Sequence, residues 1–331
     1  MKRVGIDVGY GYTKAADGAR EVVFPSVIGR AERIRYQSDL RGGAGRSNGL
    51  SLGVDGSEYF VGELALQQSR VQFTLLDRSR TTSDQLKVLF LAGLSELMGR
   101  GHEVQVVTGL PVEYYQDREL LAGQLLGRHR ISRNGSEQAF SVRAVKVIPQ
   151  PFGTLFWKIL SDDGYIVEEG LARARVGIVD VGVYTTDYVL VDWLTYIEKG
   201  SGSIPVAMST AYGLLAREIL DQYGLELSLH NIDTCVRTRS VRVYGARQDI
   251  GPLVDSVLEG VAEEIVSKAR TLWGEGRDLD AVMVTGGGAE ALEPYFHQVY
   301  PHARVVPEPT MANVRGYLKY ARRVFRSEQR S

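Results

Sequence analysis

Short apolar runs alternate along the whole chain with longer stretches in which apolar side chains recur every three or four positions. Apolar runs bounded by turn formers predict buried strands, and recurrence at i, i+3 and i+4 predicts helices with one face in a core. Strands are expected at 3–7, 13–16, 104–108, 142–148, 176–180, 186–191, 281–285 and 304–306. Phe152, Leu155, Phe156, Ile159 and Leu160 share one helical face, as do Ile250, Leu253, Val254, Val257, Leu258, Val261 and Ile265. This alternation predicts an α/β architecture. The stretch carrying Gly42, Gly43, Gly45 and Gly49 has little periodicity and reads as a mobile loop in an inserted subdomain. The basic run Arg322-Arg323-Val324-Phe325-Arg326 reads as a solvated helix end.

Two distant segments have the same form. Val4-Gly5-Ile6-Asp7-Val8-Gly9 and Gly177-Ile178-Val179-Asp180-Val181-Gly182 each read as a buried strand ending in Asp, then one apolar residue, then glycine, with a second strand following. Two half-proteins, each aiming an Asp and a turn at a shared cleft, would account for the repetition. A third strand ends in Thr285-Gly286-Gly287-Gly288. Three successive glycines at a strand-to-helix junction cost chain entropy and suit a backbone lying against a ligand, the alternative being a flexible turn.

Length and composition narrow the field. The 331 residues suggest two domains, or one large unit with a split core. With 44% hydrophobic and 24% charged residues the chain is an ordinary globular one, and a formal net charge of -1 argues against broad binding to nucleic acid or to an acidic membrane. Cys235 is the only cysteine, which rules out an intramolecular disulfide. The five histidines, His102, His129, His230, His297 and His302, have no metal-ligand spacing. No signal-peptide core or membrane span is apparent, so a cytoplasmic location is expected.

The chemistry that the repeated hairpins suit is phosphate binding. Backbone N–H groups approach phosphate oxygens most closely where no side chain intervenes, as at Gly9, Gly11 and Gly182. Lys14 would add a cation, and Asp7 and Asp180 would hold Mg2+, through water because this ion keeps its hydration shell. Taken singly, an Asp-x-Gly after a strand is more often a plain turn. The pair, with the glycine run, strengthens the phosphate reading.

Asp7-Val8-Gly9-Tyr10-Gly11-Tyr12-Thr13-Lys14 resembles the first phosphate motif of the superfamily containing actin, the seventy-kilodalton heat-shock chaperones and the sugar kinases. Asp180-Val181-Gly182-Val183-Tyr184-Thr185-Thr186-Asp187 resembles the second, and Val282-Met283-Val284-Thr285-Gly286-Gly287-Gly288 the adenosine motif. Ile148-Pro149-Gln150-Pro151-Phe152-Gly153 and Ala312-Asn313-Val314-Arg315-Gly316 are similar to the two interdomain connections. The order of all five is that of the superfamily. Thr108-Gly109-Leu110-Pro111-Val112 and Ala312-Asn313-Val314-Arg315-Gly316-Tyr317 bring the likeness nearest to the ParM or StbA plasmid-segregation actins and related archaeal and bacterial proteins.

The resemblance implies an actin-like, ribonuclease H-like duplicated fold of two domains with an interdomain nucleotide cleft. Residues 1–150 would form domain I, with an inserted subdomain at about 25–80 and completion by a C-terminal helix at 311–331. Residues 151–310 would form domain II, with an inserted subdomain at about 205–275. ATP, or GTP, with Mg2+ would be held by Gly9, Tyr10, Gly11, Tyr12, Thr13 and Lys14, by Gly182, Val183, Tyr184 and Thr185, and by Gly286, Gly287 and Gly288. Glu218, on the amphipathic stretch 207–223 with Arg217, is a further candidate for ribose or adenine, although a solvated helix face accounts for both as well. Catalysis would involve Asp7, Asp180 and Gln150, the last orienting the attacking water; a helix-capping role is the alternative for Gln150. Val183 and Tyr184 depart from the glycines often found in relatives, and Tyr10 stands where eukaryotic actin has a serine.

The function implied is slow, assembly-linked ATP hydrolysis by a protein that forms head-to-tail filaments for DNA segregation or related positioning. The expected partners are further copies of the chain and a DNA-binding adaptor, without direct nucleic-acid or membrane contact. A small-molecule kinase would need an acceptor pocket and a carboxylate base, for which no motif stands out. A chaperone-type switch would need a peptide-binding module after the ATPase, and the sequence stops soon after the second connection. A non-segregating scaffold is the remaining alternative.

Overall fold

The computed structural model describes residues 1–32, 34, 49–74, 83–99 and 101–327. The glycine-rich loop is therefore outside the described residues, except for Gly49. The chain forms two compact units, Met1–Glu169 with Met311–Ser331, and Gly170–Thr310. The helix Phe152–Ile159 lies in the first of these.

Each unit is built on an antiparallel hairpin extended by parallel strands. In the first, Lys2–Val8 pairs antiparallel with Tyr12–Ala16 and parallel with His102–Leu110, which pairs parallel with Ser136–Pro149. In the second, Arg175–Val181 pairs antiparallel with Thr186–Asp192 and parallel with Ala281–Thr285, which pairs parallel with Ala303–Val305. Every strand expected from the apolar runs is present. The first sheet goes further than the sequence reading, through Gly127–Arg133, Leu50–Val54, Ser57–Val61, Val27–Arg30 and Gln72–Thr74.

Behind each hairpin lies its own core. Val4, Ile6, Val104 and Val106 of the first sheet pack with the helix Asp84–Leu97, which is apolar on nearly every side. Its N-terminus is capped by Ser83, whose side chain accepts from the Leu86 amide. In the second unit, Val179, Tyr188 and Val284 pack with the helices Met208–Tyr223 and Gly251–Trp273. Trp273 closes the far end of that core, donating from Nε1 to the Gly200 carbonyl at 2.7 Å, and its ring occupies the space a side chain at Gly177 would need.

The helix Pro309–Ser327 meets the first sheet and the helix Phe152–Ile159 through bare backbone. A Cβ on Gly5 would lie 2.3 Å from the Val314 carbonyl oxygen, and one on Gly316 only 1.7 Å from that of Gly153. Asn313 Oδ1 accepts from both the amide (3.0 Å) and the hydroxyl (2.9 Å) of Thr154, so it caps the neighbouring helix from outside. The basic run lies at the surface end of the helix, with Arg323 exposed, and its guanidinium groups are also engaged. Arg322 donates to the Asp162 carbonyl at 2.7 Å and Arg323 to that of Gly164 at 3.2 Å, while Arg326 donates to that of Asp163 and lies over the Tyr165 ring. These cations take up carbonyls that follow the end of the shorter helix.

Candidate functional site

The two hairpins share one backbone plan. Asp7 faces Lys14 and Val8 faces Thr13 in the first; Asp180 faces Asp187 and Val181 faces Thr186 in the second. The Gly9 amide donates to the Tyr12 carbonyl at 3.1 Å, closing a two-residue loop at Tyr10 and Gly11. The Gly182 amide donates to the Thr185 carbonyl at 3.0 Å, closing its counterpart at Val183 and Tyr184. A Cβ on Gly9 would lie 2.8 Å from the Tyr12 oxygen and one on Gly182 2.9 Å from the Thr185 oxygen. Both glycines are thus required by the hairpin itself. None of the four loop residues has a positive φ, so Val183 and Tyr184 occupy their turn without strain.

In the first unit three of the expected residues converge. Asp7 is buried at the end of its strand; Lys14 Nζ lies 3.1 Å from its Oδ2, and Gln150 Nε2 donates to its Oδ1 at 3.1 Å. The Gln150 side chain therefore reaches Asp7, and the following helix has no side-chain cap of its own. Its placement is fixed from behind: its amide donates to the Leu110 carbonyl, and its carbonyl accepts from the Gly153 amide at 3.0 Å and from the Tyr317 hydroxyl at 3.2 Å. A side chain at Gly109 would collide with both Tyr317 and Gln150. Thr13 points elsewhere, buried with its hydroxyl 2.9 Å from that of Ser26. Tyr10 packs against the first core, and Gly11 accepts from the Ser26 amide at 2.9 Å.

In the second unit the hairpin loop serves as the cap of a helix. The Gly182 and Val183 carbonyls accept from the Met208 and Ser209 amides at 3.3 and 2.7 Å, where Ala207 offers no side-chain cap. Asp187, to which the sequence reading gave no role, is buried beside this loop. Its carboxylate accepts from the Thr185 hydroxyl at 3.1 Å and from the Ser203 hydroxyl. Burial raises the pKa of the Tyr184 phenol. Glu218 is exposed on the helix Met208–Tyr223, roughly 15 Å along the axis from the amides that meet the hairpin.

The three glycines after Thr285 differ in what they do. Gly286 has φ +89, and a Cβ there would lie 2.4 Å from Asp180 Oδ1 and 2.4 Å from the Val181 carbonyl oxygen. Gly288 lies against Val181 and Met208, whose side chains fill the place of its Cβ. Only Gly287 faces open space, with nothing within 4 Å of an added Cβ. A ligand approaching this turn would meet bare backbone there.

Each unit offers part of what a magnesium–phosphate ligand needs: in the first, a buried carboxylate at a strand end with a lysine ammonium beside it; in the second, a buried carboxylate at a strand end and an open glycine at a strand-to-helix turn. No group of three or more His, Cys, Asp or Glu side chains forms a preassembled metal cage among the described residues. Mg2+, which keeps waters and borrows phosphate oxygens, does not require one. Nor is any helix among the described residues long and apolar enough to cross a membrane.

Residues 5–153 match the family described as actin like proteins, N-terminal domain, and residues 178–298 match the C-terminal domain of the archaeal MreB-like actin homologues. Among solved structures, the archaeal actin homologue Ta0583 is similar with a TM-score of 0.82 at 20% identity, covering 98% of this chain and 100% of that one. The same protein in complex with ADP gives a TM-score of 0.80 at 20% identity over 98% and 100% of the two chains. A 15-stranded ParM filament from Clostridium botulinum gives 0.80 at 21% identity over 97% and 99%. At these identities the likeness is one of fold. No match was found among curated proteins.

Proposed function

Because the chain belongs to the actin-like protein family, we propose that it binds Mg-ATP through the hairpin of each unit, hydrolyses it slowly and polymerises head to tail, serving DNA segregation or a related positioning task. The observation that carries this reading is the convergence of Lys14 and Gln150 on the buried Asp7 carboxylate. Lys14 is placed to meet a phosphate oxygen and Asp7 to anchor a hydrated cation, with Asp180 doing the same in the other hairpin. Mg2+, when bound, supplies neutralisation of phosphate charge. Gln150 orients water through its side-chain amide, which is too weak a base to take the proton outright, and so hydrolysis is slow. Gly287 faces the adenosine, with Gly286 and Gly288 shaping the turn from within the unit, and GTP is accommodated only if the same turn accepts guanine.

The known filament of a structural relative supports self-association. Head-to-tail contacts generate open polymers where the rotation between copies does not close. The test is sedimentation of the purified chain with and without Mg-ATP, with negative-stain microscopy of the pellet. Polymer in the Mg-ATP sample is expected. A chain that stays in the supernatant and phosphorylates an added sugar would instead be a small-molecule kinase.

A further inference from the structure

A two-stranded hairpin, Ser240–Val243 with Ala246–Asp249, stands at the start of the long helix of the second unit. Its turn is Tyr244-Gly245, with φ of 47° and 81°. That conformation is unstrained for Asn-Gly and costly for tyrosine. Tyr244 nevertheless occupies it and is fully exposed. Below the tip, Arg242 and Arg247 face each other across the strands, a like-charge pairing that is unfavourable in isolation. Arg247 donates to the Ser240 hydroxyl and the Thr238 carbonyl, whereas Arg242 makes no hydrogen bond or ion pair among the described residues. A strained, solvent-exposed aromatic between two arginines is the form of a knob for an acidic socket.

The same unit carries such a socket. A groove of about 570 Å³ is lined by Ile204, Gly260, Glu263, Glu264, Ser267 and Thr271, together with Lys268. Glu263 and Glu264 are exposed and form no ion pair among the described residues. The glutamates lie roughly 18 Å along the helix from its first residue, beside which the hairpin ends. Full exposure of Tyr244 shows that the hairpin does not fill the groove of its own chain.

We propose that the Tyr244 hairpin of one copy docks in the Glu263–Glu264 groove of the next, with Arg242 and Arg247 against the two glutamates. This rests on the filament reading above and names its contact. Knob and socket are different patches of one unit, so the contact is heterologous and builds an open polymer where the rotation between copies does not close.

The decisive experiment introduces Tyr244→Cys and Ser267→Cys into one chain, whose only native cysteine, Cys235, is buried. Oxidation under Mg-ATP should produce a ladder of covalent multimers on a non-reducing gel, and either substitution alone no species beyond a dimer. In parallel, Arg242→Glu with Arg247→Glu should raise the critical concentration at least tenfold. Adding Glu263→Arg and Glu264→Arg to that chain should restore assembly, with an unchanged melting temperature reporting an intact fold. Polymer that forms without a ladder and ignores the charge reversal overturns this contact and leaves the filament reading standing. A wild-type chain that never sediments overturns both.

Discussion

In the hairpin that begins at Lys2, the residue facing the strand-end aspartate is Lys14; in the hairpin that begins at Arg175, it is Asp187. The backbone between is the same, down to the glycine amide that closes each loop at 3.1 and 3.0 Å. One frame therefore carries two electrostatic designs. The first brings an ammonium and an amide to its aspartate. The second sets another buried aspartate opposite its own, and the Thr185 and Ser203 hydroxyls hold that second carboxylate. The supports differ as well: the first hairpin is completed by Gln150, which the C-terminal helix holds through Tyr317, whereas the second supports a helix with its own carbonyls.

The sharpest way to break the comparison is to remove each aspartate. Asp7→Ala and Asp180→Ala should each weaken Mg-ATP by about 100-fold, roughly 2.7 kcal/mol, and metal-free ATP far less. Calorimetric titrations with Mg2+ and with chelator measure the difference. Equal losses in both media would mean that neither carboxylate serves the metal. Next in size is Gly287→Val. A Cβ there has nothing within 4 Å, so the free protein should melt close to wild type, while the stabilisation of about 2.7 kcal/mol expected at 100 times Kd should vanish. Full retention of the nucleotide shift would show that the glycine turn faces only solvent.

Gln150 has no counterpart in the second hairpin, and its substitution tests whether the first alone handles water. Gln150→Ala should slow phosphate release about tenfold, or roughly 1.4 kcal/mol of barrier, with Mg-ATP affinity and polymer mass near normal. Light scattering and a phosphate assay on one sample separate the two, and joint loss of binding and polymer would make the residue a structural brace. The smallest effect concerns the shared frame. Gly9→Ala and Gly182→Ala should each cost about 1 kcal/mol in denaturant unfolding, since both push a Cβ against a loop carbonyl at nearly the same distance. A marked inequality would show that the likeness of the two turns is only superficial.

Both hairpins and the parallel strands beside them were legible in the sequence, because a buried strand ending in Asp-x-Gly is a local signal repeated at two places. Convergence of Lys14 on Asp7 follows from register alone, and by the same count Asp187 falls opposite Asp180; the missing step was to carry the register through. The outer strands of the first sheet escaped for a different reason. Their apolar runs are short and mixed with Ser and Gly, yet Asp55-Gly56 and Asn134-Gly135 sit at their turns with positive φ and are strong hairpin signals. The helix Asp84–Leu97 could not be told from a buried strand by periodicity, since Val88-Leu89-Phe90-Leu91-Ala92 is apolar throughout. The basic run read as a helix end, but its partners are backbone carbonyls near residue 163, which no sequence pattern marks.

The backbone contacts of Gly5 with Val314 and of Gly153 with Gly316 also order events in time. The first unit includes residues from both ends of the numbering, and the second is one continuous segment. On the ribosome, at about 5–20 residues per second, the first sheet must wait roughly 8 to 30 s after its own strands emerge for the helix that seals it. The second unit has every residue it needs before that helix is made. During this interval the flank of Lys2–Val8 that the helix later covers stays open.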